Sequence, residues 1–142
     1  MEKYLGVKII EAEPMTMTKA AEELQRPFES GSEEGYFIKY QDGYESWSPR
    51  EVFEEAYRKI DNLTFGLAIE ALKKGYKVAR EGWNGKGMFL MLVITPPTEA
   101  MDITGHIYGF LPYIQMKTAD NKLVPWLASQ TDMLSEDWMV VE

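Results

Sequence analysis

With 142 residues the chain has room for one ordinary domain or two very small ones, and 45% hydrophobic and 13% aromatic side chains are enough to bury a real core. The absence of cysteine removes disulfides, thiolate zinc sites and cysteine nucleophiles together, and the single His106 suits neither a histidine metal cluster nor a Ser-His-Asp triad, although one histidine can act alone. A net charge of −8 argues against a general nucleic-acid binder, which needs a basic face to meet phosphate. No run is long and apolar enough to span a bilayer and Met1–Gly6 lacks the features of a signal peptide, so a cytoplasmic protein with no membrane partner is expected.

Tyr4 to Ala12 alternates apolar and polar residues and predicts a strand stopped by Pro14. Thr16 to Gln25 has helical spacing, with Thr18 as N-cap and Ala20, Ala21 and Leu24 along one side. Arg26 to Gly35 is a polar loop, and the next stretch offers two short strands about Asp42-Gly43, a strong hairpin signal. Ser48 then reads as the N-cap of a helix through Lys59, with Pro49 at the first helical position, Glu51 completing a capping box, and Val52, Phe53, Ala56, Tyr57 and Ile60 as its apolar stripe. Tyr40, Tyr44 and Trp47 can form an aromatic pocket, but their alternation along strands favours core. Residues 1–61 therefore read as a small α+β unit of unknown function, and 61–63 as the only boundary.

A second helix is capped by Thr64, presents Phe65, Ala68, Ile69 and Leu72, and ends at Lys73, Lys74 and Gly75. Strands follow from Tyr76 to Arg80 and from Gly87 to Thr95, the latter stopped by Pro96-Pro97. The segment up to Gly109 reads as a long irregular loop. Leu111 to Thr118 and Leu123 to Leu127 are strands about a turn at 119–122, a short turn starts at Thr131 or Asp132, and Asp137 to Val141 is the last strand. The fold class is α+β, a mostly antiparallel sheet with a few short helices, and the small N-terminal α+β unit is expected to pack beside a C-terminal domain of residues 62–142.

Between Arg80 and Val93, R-E-G-W-N-G-K-G-M-F-L-M-L-V, a polar turn carrying an aromatic, an amide and a cation runs directly into an apolar strand. Trp83, Asn84 and Lys86 stand among Gly82, Gly85 and Gly87, and glycine lets a ligand approach the backbone closely. A plain hairpin turn and a binding loop both satisfy this pattern. Charge points the same way: residues 1–61 carry 8 basic and 14 acidic side chains, a net −6, whereas residues 62–142 carry 7 and 9, a net −2. An anion meets less repulsion in the second part.

Two stretches in that part, G-W-N-G-K-G-M-F-L and P-W-L-A-S-Q-T-D with a following D-W, resemble the Thoeris anti-defense 2 family of phage and prophage proteins, over residues 62–142. The resemblance implies a non-enzymatic sponge in the host bacterial cytoplasm. Such a protein holds cyclic ADP-ribose-type immune signal nucleotides without cleaving them, in pockets between subunits of a homo-oligomer, a tetramer or dimer, and some members also bind cyclic dinucleotides. It implies no cofactor, no metal and no nucleic-acid partner.

The residues are chemically compatible with that expectation. Trp83 and Trp126 can stack on a purine, worth roughly 1–3 kcal/mol per base. Backbone N–H groups of Gly85 to Gly87 and the Lys86 ammonium can meet a pyrophosphate. Asn84, Ser129, Gln130 and Asp132 can pair with ribose or base edges. Met88 joins this ligand-binding set and, with Met91 and Met116, offers adaptable apolar contact for a subunit interface. Each also has a plainer reading: Trp126 and Trp138 as core, Asp132 and Asp137 as turn caps, Lys86 as solvated, His106 and Tyr108 as packing or interface residues. Asp132, Glu136 and Asp137 raise an enzyme as the rival class, since paired carboxylates do acid–base work or hold metals, but no nucleophile or histidine partner accompanies them. A phage structural or protein-interaction module is the third reading.

Overall fold

In a computed structural model, which describes residues 1–83, 86–94 and 99–142, the chain divides into two units, Met1–Arg58 and Lys59–Glu142. Both are α+β and every strand pairing is antiparallel.

The first unit is a three-stranded sheet of order β1-β2-β3, with β1 at Ile10–Pro14, helix α1 at Met17–Leu24, β2 at Gly35–Tyr40, β3 at Glu45–Pro49 and helix α2 at Arg50–Ala56. The Asp42-Gly43 hairpin forms as expected, with the Tyr44 N–H donating to the Asp42 carboxylate at 3.0 Å. The first strand, however, begins at Ile10 rather than Tyr4, because Ile10 already lies opposite Tyr40, where β2 ends. It also includes Pro14, which an edge strand tolerates because the missing N–H need not face a neighbour.

Both helix starts differ from the expectation. Thr16, not Thr18, caps α1 by accepting the Lys19 N–H, while the Thr18 hydroxyl donates to the Glu33 carboxylate. Helix α2 starts at Arg50 with no side-chain cap, because Ser48 is still held in the β2–β3 ladder opposite Tyr36. Its Val52 is exposed, and Phe53 instead stacks on Tyr36 at 4.1 Å and contacts Tyr57 at 5.0 Å. Trp47 is core, packed with Met15 and Ala20 and donating its indole N–H to the Met15 carbonyl at 2.8 Å. Tyr40 and Tyr44 stack on each other on the other side of the sheet, so the three aromatics line no common pocket. Gly35 must be glycine here, since a Cβ would lie 2.3 Å from the Trp47 ring.

The second unit has helix α3 at Phe65–Lys73, β4 at Lys77–Arg80, β5 at Phe89–Val93, β6 at Ala100–Met101, β7 at Ile107–Tyr108, β8 at Tyr113–Lys117, β9 at Leu123–Pro125, helix α4 at Gln130–Leu134 and β10 at Trp138–Val141. Five strands form one sheet of order β10-β4-β5-β8-β9. Thr64 caps α3, accepting the Leu67 N–H, and Ala68, Ala71 and Leu72 bury that helix against Val78, Leu90 and Trp138. This is the face of the sheet that alternate positions must direct inward, because Val78, Leu90 and Met116 fall in register across three neighbouring strands. Pro125 lies in the edge strand β9.

Two expectations are corrected in this unit. The segment before Gly109 is not wholly irregular: β6 and β7 make a small hairpin about Asp102, whose carboxylate accepts from the Thr104 hydroxyl and N–H, the His106 N–H and the Tyr108 hydroxyl. The Thr104 hydroxyl, then Tyr108 and the backbone donors, hold that carboxyl down at about pKa 2. Helix α4, in turn, is capped by Ser129 rather than by Thr131 or Asp132, in a capping box whose other member is Asp132. The stop expected at Pro96-Pro97 lies outside the described residues. Among the described residues no helix is long and apolar enough to cross a membrane.

These caps separate two substitutions of the same kind. Thr64→Ala removes a made cap and should cost about 1 kcal/mol, whereas Ser48→Ala removes none and should stay within about 0.5 kcal/mol of the parent, measured by urea denaturation followed by circular dichroism.

Candidate functional site

The β4 strand delivers Arg80 to the rim of the sheet, where its guanidinium bridges two carboxylates. Nη1 donates to Asp132 Oδ1 at 2.9 Å and Nε to Asp137 Oδ1 at 2.9 Å, and the Arg80 and Asp132 side chains are only 13% and 14% exposed. Asp137 also accepts the Gly82 N–H at 2.9 Å. A planar fork with fixed donors suits this double grip in a way that a lysine ammonium does not. The start of the loop is thereby tied to the segment leading into β10.

Trp83 follows at once and packs inward. Its ring meets Trp138 edge-on at 5.5 Å and Trp126 at 6.4 Å, and Phe65 contacts both Trp126 and Trp138. Trp138 is fully buried and donates its indole N–H to the Asp132 carbonyl at 2.9 Å, whereas Trp83 and Trp126 are half-buried. The two tryptophans singled out from the sequence are thus neighbours, each part core and part surface.

Asp132 is a junction. Its Oδ1 accepts from Arg80 and, at 3.5 Å, from the Trp83 indole; its Oδ2 accepts from the Ser129 N–H and hydroxyl at 3.0 and 2.8 Å. These four donors match the four lone-pair sites of a carboxylate, so its role in this arrangement is to position Trp83, Ser129 and Arg80. Burial alone would raise the Asp132 carboxyl, but the hydrogen bonds from Ser129, Arg80 and Trp83 outweigh it and hold the group below the ordinary carboxylate range. The Arg80 hydrogen bond, against a smaller effect of burial and with help from the Gly82 N–H, does the same for Asp137.

The loop is fastened at its far side as well. Lys117 Nζ donates to the Gly87 carbonyl at 2.9 Å, and Gly87 has φ +71°, a left-handed conformation in which a side chain would be strained and would crowd that ammonium. Lys86 and Gln130 are exposed, Ser129 is exposed with its hydroxyl engaged in the cap, and Met88 is half-buried. Asn84 and Gly85 lie outside the described residues. The structure therefore brings together Trp83, Trp126, Ser129 and Asp132 around Arg80, and leaves Lys86 and Gln130 at the surface.

Sequence reasoning assigned Arg80 only to the end of a strand. A usable signal was present, since it is the only arginine in residues 62–142, among six lysines, and arginine is the residue suited to a two-carboxylate grip. Two open depressions of about 420 and 520 Å³ are lined wholly by first-unit residues, including Met15, Arg50, Arg26 and Phe28, and contain none of the expected site.

Residues 63–141 match the family model described as the Thoeris anti-defense 2-like domain. The chain is also similar to Thoeris anti-defense 2 of Bacillus phage SP01, with 46% identity over 88 residues that cover 56% of this chain and 94% of the relative. The matched stretch encloses the loop, the tryptophan cluster and both carboxylates.

Removing the guanidinium strands two partly buried carboxylates, so Arg80→Met should cost about 2–4 kcal/mol at neutral pH. Because the folded-state values of Asp132 and Asp137 are lowered, their contribution is fully present above the unfolded carboxylate range near pH ~4 and is lost as pH falls through the folded values. Denaturation midpoints measured from pH 7 downward should decline less steeply in Arg80→Met than in the parent.

Proposed function

The chain belongs to the Thoeris anti-defense 2-like family, and on that premise we propose that it is a phage anti-defense protein which binds cyclic ADP-ribose-type immune signal nucleotides and holds them without cleavage. The observation that carries the reading is the placement of the half-buried Trp83 and Trp126 pair at the root of a cation-bearing glycine loop, inside the stretch that matches the family.

The chemistry follows from that placement. A base laid on an indole gains roughly 1–3 kcal/mol, and the tryptophans are held from behind by Trp138 and Phe65, so little ordering remains to be done on binding. The Lys86 ammonium and the backbone N–H groups from Gly85 to Gly87 supply donors for a pyrophosphate, and Asn84, Ser129 and Gln130 supply partners for ribose and base edges. Met88 provides adaptable apolar contact. Asp132 contributes by fixing Trp83 and Ser129.

Retention rather than cleavage is supported by the state of the carboxylates. A general acid needs a proton at neutral pH, yet Asp132 and Asp137 are both held below the ordinary range and bound by Arg80. Exposed Ile103, Ile107, Leu111, Leu127 and Leu134 support self-association into a dimer or tetramer, the setting in which a pocket between subunits would be completed. The host bacterial cytoplasm is the compartment this reading requires.

Incubation with cyclic ADP-ribose isomers and cyclic dinucleotides, followed by heat denaturation and chromatography of the released material, should return one of them intact. Recovery of a cleaved product would make the protein an enzyme, and retention of none would favour an interaction module. Lys86→Ala and Asn84→Ala should lower retention at least about tenfold, the scale of one charge-assisted hydrogen bond, with thermal midpoints within about 4 °C of the parent. Trp83→Ala should lose both retention and stability, because its ring is also core.

A further inference from the structure

The face of the five-stranded sheet turned away from α3 has an unusual composition for an antiparallel sheet. Such a face is ordinarily polar, yet β5 is apolar at every position, the pattern of a strand covered on both sides. Register places Phe89 beside Lys117 and Met91 beside Gln115 on that face, and Ala79 beside Met139. None of the five strands contains Asp or Glu, in a chain with 23 acidic residues.

On this face two cations converge on one ring, with Asp120 of the β8–β9 turn near Lys117. Lys77 Nζ lies 4.8 Å and Lys117 Nζ 5.8 Å from the Phe89 centroid. Lys117 uses one donor on the Gly87 carbonyl and keeps two, and neither ammonium forms an ion pair among the described residues. Both lysines come from strands flanking β5, so their spacing is set by the sheet and not by a loop. Two ammoniums with spare donors above an apolar floor are suited to an anion that carries a flat or apolar group.

We infer that Lys77, Lys117 and Phe89 form a second binding site, for the phosphate of an organic phosphate whose flat part lies over Phe89 and Met91. Lys117 adjoins the glycine loop through the Gly87 carbonyl, so Lys77 is the residue that separates this site from the sequestration reading: Trp83 packs with Trp138 on the helix-covered face, while Lys77 and Phe89 occupy the other.

Calorimetric titration of the full chain with ADP, adenosine and inorganic pyrophosphate tests the assignment. ADP, which offers both the anion and the flat group, should bind more tightly than either fragment, and more weakly as salt is raised. Lys77→Gln, which removes no hydrogen bond or ion pair to the loop among the described residues, should weaken ADP about tenfold, the scale of one charge-assisted contact, and Lys77→Gln with Lys117→Gln should weaken it further. Lys77→Arg should keep the affinity, and Trp83→Phe should leave it unchanged. The site is refuted if the parent does not bind ADP, if the double glutamine variant binds it as the parent does, or if Trp83→Phe weakens it as much as Lys77→Gln. Intact recovery of a cyclic nucleotide from the double glutamine variant would leave the sequestration reading standing whichever of these results is found.

Discussion

The guanidinium of Arg80, held between Asp132 and Asp137, is the interaction on which the second unit depends. It joins the end of β4 to the α4 cap and to the approach to β10, segments that are remote in sequence. The grip is strong because three groups supply what each other lack. Two carboxylates satisfy one fork, the oxygens left over accept the Gly82 N–H and the Ser129 hydroxyl and N–H, and the Trp83 indole shares Asp132 Oδ1 with Arg80. A partly buried charge set of this kind is stable only when complete, since any member left alone carries the desolvation of the others.

That completeness explains how Trp83 is held firmly although it follows a glycine at the end of β4. Gly82 is fixed through Asp137 on one side and Gly87 through Lys117 on the other, so Trp83 enters the tryptophan cluster from a bounded segment. Trp138 is buried below, and Trp83 and Trp126 stay partly exposed. On the proposed reading, support and recognition share the same side chains. On the proposed reading a change at Trp83 is felt in folding and in binding together, whereas one at the exposed Lys86 acts on binding alone.

The distribution of charge gives the second unit a different character from the first. Its strands contain no carboxylates, and the two aspartates that reach the sheet rim are both paired with Arg80, which offsets one of their two charges. The first unit carries most of the acidic excess and has its own core about Trp47, closed by the near contact between Gly35 and the indole. An anion thus meets less repulsion on the unit that matches the Thoeris anti-defense 2-like family than on the first unit.

Local chemistry made much of this legible in the sequence. The α+β class, the Thr64 cap, the Asp42-Gly43 hairpin and the strands flanking the glycine loop follow from periodicity and turn residues, which act over a few positions. The motifs G-W-N-G-K-G-M-F-L and P-W-L-A-S-Q-T-D carried the family. The shifts at Ile10, Thr16, Arg50 and Ser129 were decided elsewhere: a strand extends only as far as its partner, and a serine held in a ladder cannot also open a helix. The role of Arg80 was likewise hidden, because its partners lie 52 and 57 residues away and a guanidinium at a strand end looks solvated until they arrive. The sequence by itself determined the α+β class, most of the strands and helices, and the family they compose. Only the tertiary structure decided which polar groups are consumed in holding the ends of the loop, because that depends on long-range pairing of charges that no local pattern encodes.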